Sequence, residues 1–147
     1  MKTIKLFTIG FKGKRAEMFF SMLNAADIKT LIDVRLHNQS QLAGYTKRDD
    51  LSFFLRKLCG CQYRHEPLLA PSKEIFQNYR DKKMTWDQYK VQFPALLEQR
   101  KAYNIISLTE LDRACLLCSE IKPGQCHRRL VAEYLQKFFD NIEIFHL

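Results

Sequence analysis

Apolar runs of strand length alternate along this chain with stretches of helical period, and that alternation restricts the fold more than any other feature. Ile4 to Ile9, Ile28 to Val34, Gln62 to His65, Ala114 to Cys118 and Ile142 to Phe145 have strand length. Ala114 to Cys118 is wholly apolar, as in a strand buried on both faces. Between these runs, Met18, Phe19, Met22 and Leu23 within Lys14 to Ala26, and Leu130, Val131, Tyr134, Leu135, Phe138 and Phe139 near the end, recur with helical period. Thr46 with Asp49 and Asp50 suits the start of a helix reaching about Cys59. Thr85 and Gln88 have capping-box spacing ahead of Trp86, Tyr89, Phe93, Leu96 and Leu97, one face of a helix that Pro94 should kink. The order predicts one α/β domain over 1–147 with a helical insertion at about 72–101. Its core is a single open, mainly parallel sheet of about five strands with helices on both faces, a Rossmann-like sandwich.

Where the wholly apolar run ends, chemistry concentrates. Pro123-Gly124 signals a turn, and the chain reopens as a helix headed by Cys126, His127 and Arg128. In open α/β sheets, ligands sit beyond the carboxyl ends of the strands, where helix N–H groups and the helix dipole favour an anion. Asp33-Val34-Arg35 should end a neighbouring strand at the same edge, and the polar segment Leu36 to Tyr45 reads as a loop there.

The 147 residues carry 24 Lys+Arg against 16 Asp+Glu, a formal net charge of +8, which favours anionic partners such as nucleic acid, nucleotides or phosphorylated metabolites. The basic residues are scattered, so the charge also suits a merely soluble protein. Five cysteines, no secretory h-region after Met-Lys-Thr-Ile-Lys and no window near the ~20 apolar residues of a membrane span suggest reduced thiols in the cytoplasm and no membrane partner.

Thr8-Ile9-Gly10, Asp33-Val34-Arg35, Ser40, Tyr63, Leu116-Leu117-Cys118-Ser119-Glu120 and Cys126-His127-Arg128, in this order, resemble the "domain of unknown function 488" family over nearly the whole chain. The resemblance implies an α/β fold and a shared polar cluster rather than a reaction or a substrate. The chain departs from the family pattern at Phe11, Asn38, Gln41 and Leu68-Leu69-Ala70, and keeps the carboxyl-terminal cluster. Phe145-His146-Leu147 is similar to the family's ending and places a histidine near a strand end.

Each candidate has a functional and a structural reading. Cys126 is the better thiolate candidate and Cys118 a pocket residue or second thiol, but both suit burial as small hydrophobes. The spacing from Cys118 to Gly124 fails a Cys-x5-Arg phosphatase loop. On a strand, Cys115 and Cys118 point to opposite faces, which argues against a four-ligand zinc site, and no metal or other cofactor is expected. A metal held by Cys118, Cys126 and His127 alone stays open. His127 suits a general acid or base or a hydrogen bond to the preceding loop. Arg35 and Arg128 can grip an anion with a planar fork, or pair with Asp33 or Glu120. Glu120 suits proton transfer or a salt bridge. Tyr63 and His65 share a strand face and suit contact with a base or sugar, with core packing equally open for Tyr63.

The leading expectation is a small cytoplasmic enzyme acting on a nucleotide, nucleic-acid component or other phosphorylated substrate, its anion held near Cys126. Glu120, Cys126 and His127 would carry the chemistry, and Asp33, Arg35, Ser40, Tyr63, Cys118 and a partly exposed Arg128 would bind the substrate. The alternative is a non-catalytic nucleic-acid-binding protein whose cluster is structural.

Overall fold

The structure, a computed structural model, describes residues 2–38, 44–119 and 126–147. Five strands, β1 (Ile4–Gly10), β2 (Thr30–Asp33), β3 (Gln62–His65), β4 (Ala114–Cys118) and β5 (Ile142–His146), form one sheet in the order β3-β2-β4-β1-β5. All four pairings are parallel. Helices α1 (Ala16–Ala25) and α2 (Arg48–Phe54) pack on one face, and α4 (Trp86–Gln99) and α6 (His127–Phe138) on the other. Two further helices, α3 (Lys73–Arg80) and α5 (Leu108–Leu111), lie in the crossover from β3 to β4.

Strand alternation divides the core. Leu6, Ile32, Leu116 and Cys118 face α4 and α6, while Phe7, Ile9, Leu31, Cys115 and Leu117 face α1 and α2. Leu116 and Leu117 are both fully buried, as a central strand covered on two sides requires.

Helix boundaries differ from the periodic reading where local bonds compete. Lys14 stays outside α1 because its ammonium turns back to the Gly10 carbonyl at 2.7 Å. β2 starts at Thr30 because the chain is still closing α1: the Ile28 N–H bonds the Leu23 carbonyl and Asp27 takes φ +54°. Thr46 does not cap α2. It sits buried in a 3-10 turn (Gly44–Thr46), and the N-cap is Lys47, with no side-chain cap. Asp49 and Asp50 do occupy the first turn, where carboxylates suit the dipole. A π-helical turn, Leu55–Cys59, then ends at Gly60, whose φ of +59° is the left-handed conformation glycine tolerates. The Thr85–Gln88 capping box forms, and α4 runs on through Pro94.

One consequence of the topology positions the site. From β1 the chain leaves through α1 toward β2 on one face of the sheet, and from β4 it leaves through α6 toward β5 on the other. β1 and β4 are neighbours, with Gly10 opposite Cys118, so their carboxyl ends mark the topological switch point where open α/β sheets bind ligands.

Candidate active site at the carboxyl edge of the sheet

On the α2 side of this edge, Asp33 is fully buried at the end of β2 and gathers four donors. Arg35 reaches it through Nε at 2.8 Å and Nη2 at 2.7 Å, and the Arg35 backbone N–H adds a third bond at 3.1 Å. The Tyr63 hydroxyl donates to Oδ2 at 2.6 Å. Arg35 Nη2 also donates to the Thr46 carbonyl at 2.7 Å. Its Nη1 is buried with no hydrogen-bond partner among the described residues. Burial, followed by the Asp33 carboxylate, holds the Tyr63 phenol well above its ordinary pKa, so it remains a donor.

Phe11 and Asn38 complete this network. Phe11 is buried with its ring 5.3 Å from the Arg35 guanidinium carbon, a cation–π contact. Asn38 is buried too, and its amide donates to the Tyr63 oxygen at 3.2 Å. His65 Nε2 bonds the Arg35 carbonyl at 2.8 Å. Tyr63 and His65 therefore hold the strand ends together.

On the other side of the edge, Cys118 ends β4, Cys126 is the N-cap of α6 and His127 is its first residue. Ligand atoms of these three side chains all lie within 4.8 Å of one another. The sulfurs of Cys118 and Cys126 are joined in a disulfide, with Cα atoms 7.6 Å apart. This corrects the expectation of five reduced cysteines; Cys59, Cys61 and Cys115 are free. A disulfide sulfur is no nucleophile, so a thiolate role for Cys126 requires the pair to be reduced.

His127 Nε2 lies 2.6 Å from the Val34 carbonyl. A carbonyl only accepts, so Nε2 carries the hydrogen and the neutral ring keeps its lone pair on Nδ1. The ring packs edge-on against Phe93 at 5.9 Å. Burial pushes its pKa down to about 4, against the opposing pull of the Val34 carbonyl and Asp33, so the imidazole is neutral at pH 7.

Arg128 is fully buried rather than partly exposed, because α6 turns it inward beneath the edge, and its Nη1 lies 3.9 Å from Cys118 Sγ. Its charge is felt at the switch point: Lys14 has a lowered pKa, from burial first and Arg128 second. Lys14 escapes a sequence reading because its period assigns it to the helix. The only signal was its place four residues beyond the strand-ending Gly10. At the far strand, His146 Nδ1 and the Thr8 hydroxyl meet at 2.6 Å, which fixes the end of β5 beside β1. Of the remaining candidates, Ser40 and Glu120, with the Pro123-Gly124 turn, lie outside the described residues.

Arg35 and Cys126 thus share the carboxyl edge but lie toward opposite faces of the sheet. The aromatic row Trp86, Tyr89 and Phe93 is core: Tyr89 and Phe93 are buried, and Trp86 stacks on Tyr89. Among the described residues, no helix is long and apolar enough to cross a membrane.

Fold and site together define an all-parallel α/β sandwich with a polar, sulfur-containing cluster at its switch point. More particularly, the chain belongs to the family described as "Domain of unknown function DUF488", whose family model matches residues 15–135. No curated protein and no solved structure matches it.

Proposed function

We propose that the protein is a cytoplasmic enzyme that binds a phosphorylated substrate, such as a nucleotide or nucleic-acid component, at the switch point between β1 and β4. The observation that carries this reading is the meeting of Cys118, Cys126 and His127 at that point, with the Arg128 guanidinium against Cys118. Reactive groups and positive charge converge where α/β sheets take ligands. Lys14 and the first N–H groups of α6 contact the anion, the buried Arg128 lends its charge from beneath the edge, and Arg35 Nη1 is the donor offered from the neighbouring strand. The His127 Nδ1 lone pair and the two sulfurs act on the substrate. Ser40 and Glu120 remain a substrate contact and a proton carrier on sequence grounds.

Burial supports this reading over a non-catalytic nucleic-acid binder. Arg35 and Arg128 are 5% and 0% exposed, so neither lays its guanidinium fork along a nucleic-acid backbone, and a ligand at this edge meets mainly their charge. Calorimetric titration with phosphate, mononucleotides and an oligonucleotide at two salt concentrations tests the choice. A small phosphorylated ligand should bind with shallow salt dependence, and Lys14→Ala should weaken it about tenfold, or ~1.4 kcal/mol. Binding of the oligonucleotide alone, with steep salt dependence, would favour the binder. No binding at all, or full affinity in Lys14→Ala, removes the anion site.

A further inference from the structure

We infer that Cys118, Cys126 and His127 form a zinc site when the cysteine pair is reduced. This goes beyond the substrate reading above and does not depend on it. Four observations converge. The three ligand atoms already lie within 4.8 Å of one another, in reach of a common ion. The cysteine Cα atoms are 7.6 Å apart, wider than the ~4.4–6.8 Å that disulfides usually span, whereas two thiolates on one ion each reach ~2.3 Å to the metal. His127 has the outer contact typical of a metal-bound imidazole, since Nε2–H donates to the Val34 carbonyl and leaves Nδ1 to ligate. Arg128 lies against Cys118 Sγ, where a guanidinium N–H supports a thiolate.

The donor set selects the metal. Two sulfurs and one imidazole nitrogen match zinc and exclude the oxygen-seeking magnesium and calcium. The opposed faces of Cys115 and Cys118 are present, with Cys115 packed toward α1 and α2. That opposition removes Cys115 from the site and leaves the other three untouched. Three protein ligands with a fourth position for water or substrate is the pattern of catalytic rather than structural zinc.

The step balances. A phosphine reductant and water supply two electrons and two protons, converting the disulfide into two thiols as the phosphine becomes its oxide. Zinc then binds both sulfurs as thiolates and releases two protons to solvent. Two thiolates neutralise the dication, and the Arg128 guanidinium beside Cys118 leaves one positive charge at the site.

The full chain, reduced with a phosphine under anaerobic conditions, would be titrated with cobalt(II) as a spectroscopic stand-in and then with zinc. The expected result is a thiolate-to-cobalt charge-transfer band that saturates at about one ion per chain and is lost on adding zinc. Cys118→Ser and Cys126→Ser should each abolish it, His127→Gln should weaken binding at least tenfold, and Cys59→Ser should leave it unchanged. For variants that do not fold, the parent chain gives a second readout: zinc should protect Cys118 and Cys126 from iodoacetamide while Cys59 labels equally with and without it. Absence of the band in reduced, folded protein, its survival in Cys126→Ser, or equal labelling of all sites with and without zinc would overturn the assignment.

Discussion

The two polar clusters at the carboxyl edge lie close together and are built on opposite principles. Around Asp33, nearly every donor is matched: a carboxylate receives two bonds from the Arg35 side chain, one from its backbone and one from Tyr63, Asn38 and Thr46 close the ring, and Arg35 Nη1 alone of that guanidinium's donors is left over among the described residues. Around Cys118, two sulfurs and an imidazole meet with their reactive atoms turned toward one another. A satisfied buried network fixes geometry, while a gathering of lone-pair atoms has chemistry left to do. The comparison teaches that charge at a strand end does not by itself mark a catalytic group. What distinguishes the second cluster is the bonding capacity that two sulfurs and an imidazole gain once the Cys118–Cys126 disulfide is reduced.

If that division holds, damage to the first cluster should appear as lost stability and damage to the second as lost binding. Asp33→Ala leaves a buried guanidinium without its counter-charge and should cost about 3–5 kcal/mol in urea unfolding. A loss below ~1 kcal/mol would show that the Asp33–Arg35 pair does not hold this edge together. Tyr63→Phe removes a hydrogen bond to a charged carboxylate and should cost about 1.5–3 kcal/mol, with any phosphate affinity nearly unchanged in the folded fraction. In contrast, Cys126→Ser, measured under reducing conditions, should change stability by no more than about 1 kcal/mol while removing thiolate–metal absorption. The smallest effect is in pH. Lys14 has its pKa lowered below 10.5 by burial and by Arg128, and only its ammonium form attracts an anion. Phosphate affinity should therefore fall on the alkaline side as pH rises through that lowered value, and Lys14→Arg should remove the fall.

The sheet was legible because strand-length apolar runs and helical periods alternate cleanly, and β3 and β4 match their expected limits at Gln62–His65 and Ala114–Cys118. The carboxyl-edge placement of Arg35, Cys118 and Cys126 followed from the parallel topology alone. Other features were hidden because they arise from long-range contact. Nothing in the local sequence announces that Thr46 will turn its carbonyl to Arg35, that His127 will reach the Val34 carbonyl, or that Arg128 will be fully buried. Likewise, Cys118 and Cys126 share no periodic element, and their approach depends on the return of the chain from β4 to α6. Phe11 and Asn38 likewise show their place in the scaffold only through their contacts with Arg35 and Tyr63.

The most direct test of the central claim, that the β1–β4 switch point binds a phosphorylated ligand, is amide-shift mapping of the full chain during titration with inorganic phosphate. The account predicts saturable shifts confined to Phe11–Lys14, Cys118–Ser119 and Cys126–Arg129, where the strand ends and the first turn of α6 meet. Shifts centred instead on the opposite edge of the sheet, around Lys29 and Arg113, or no saturable shift at any residue, would contradict it.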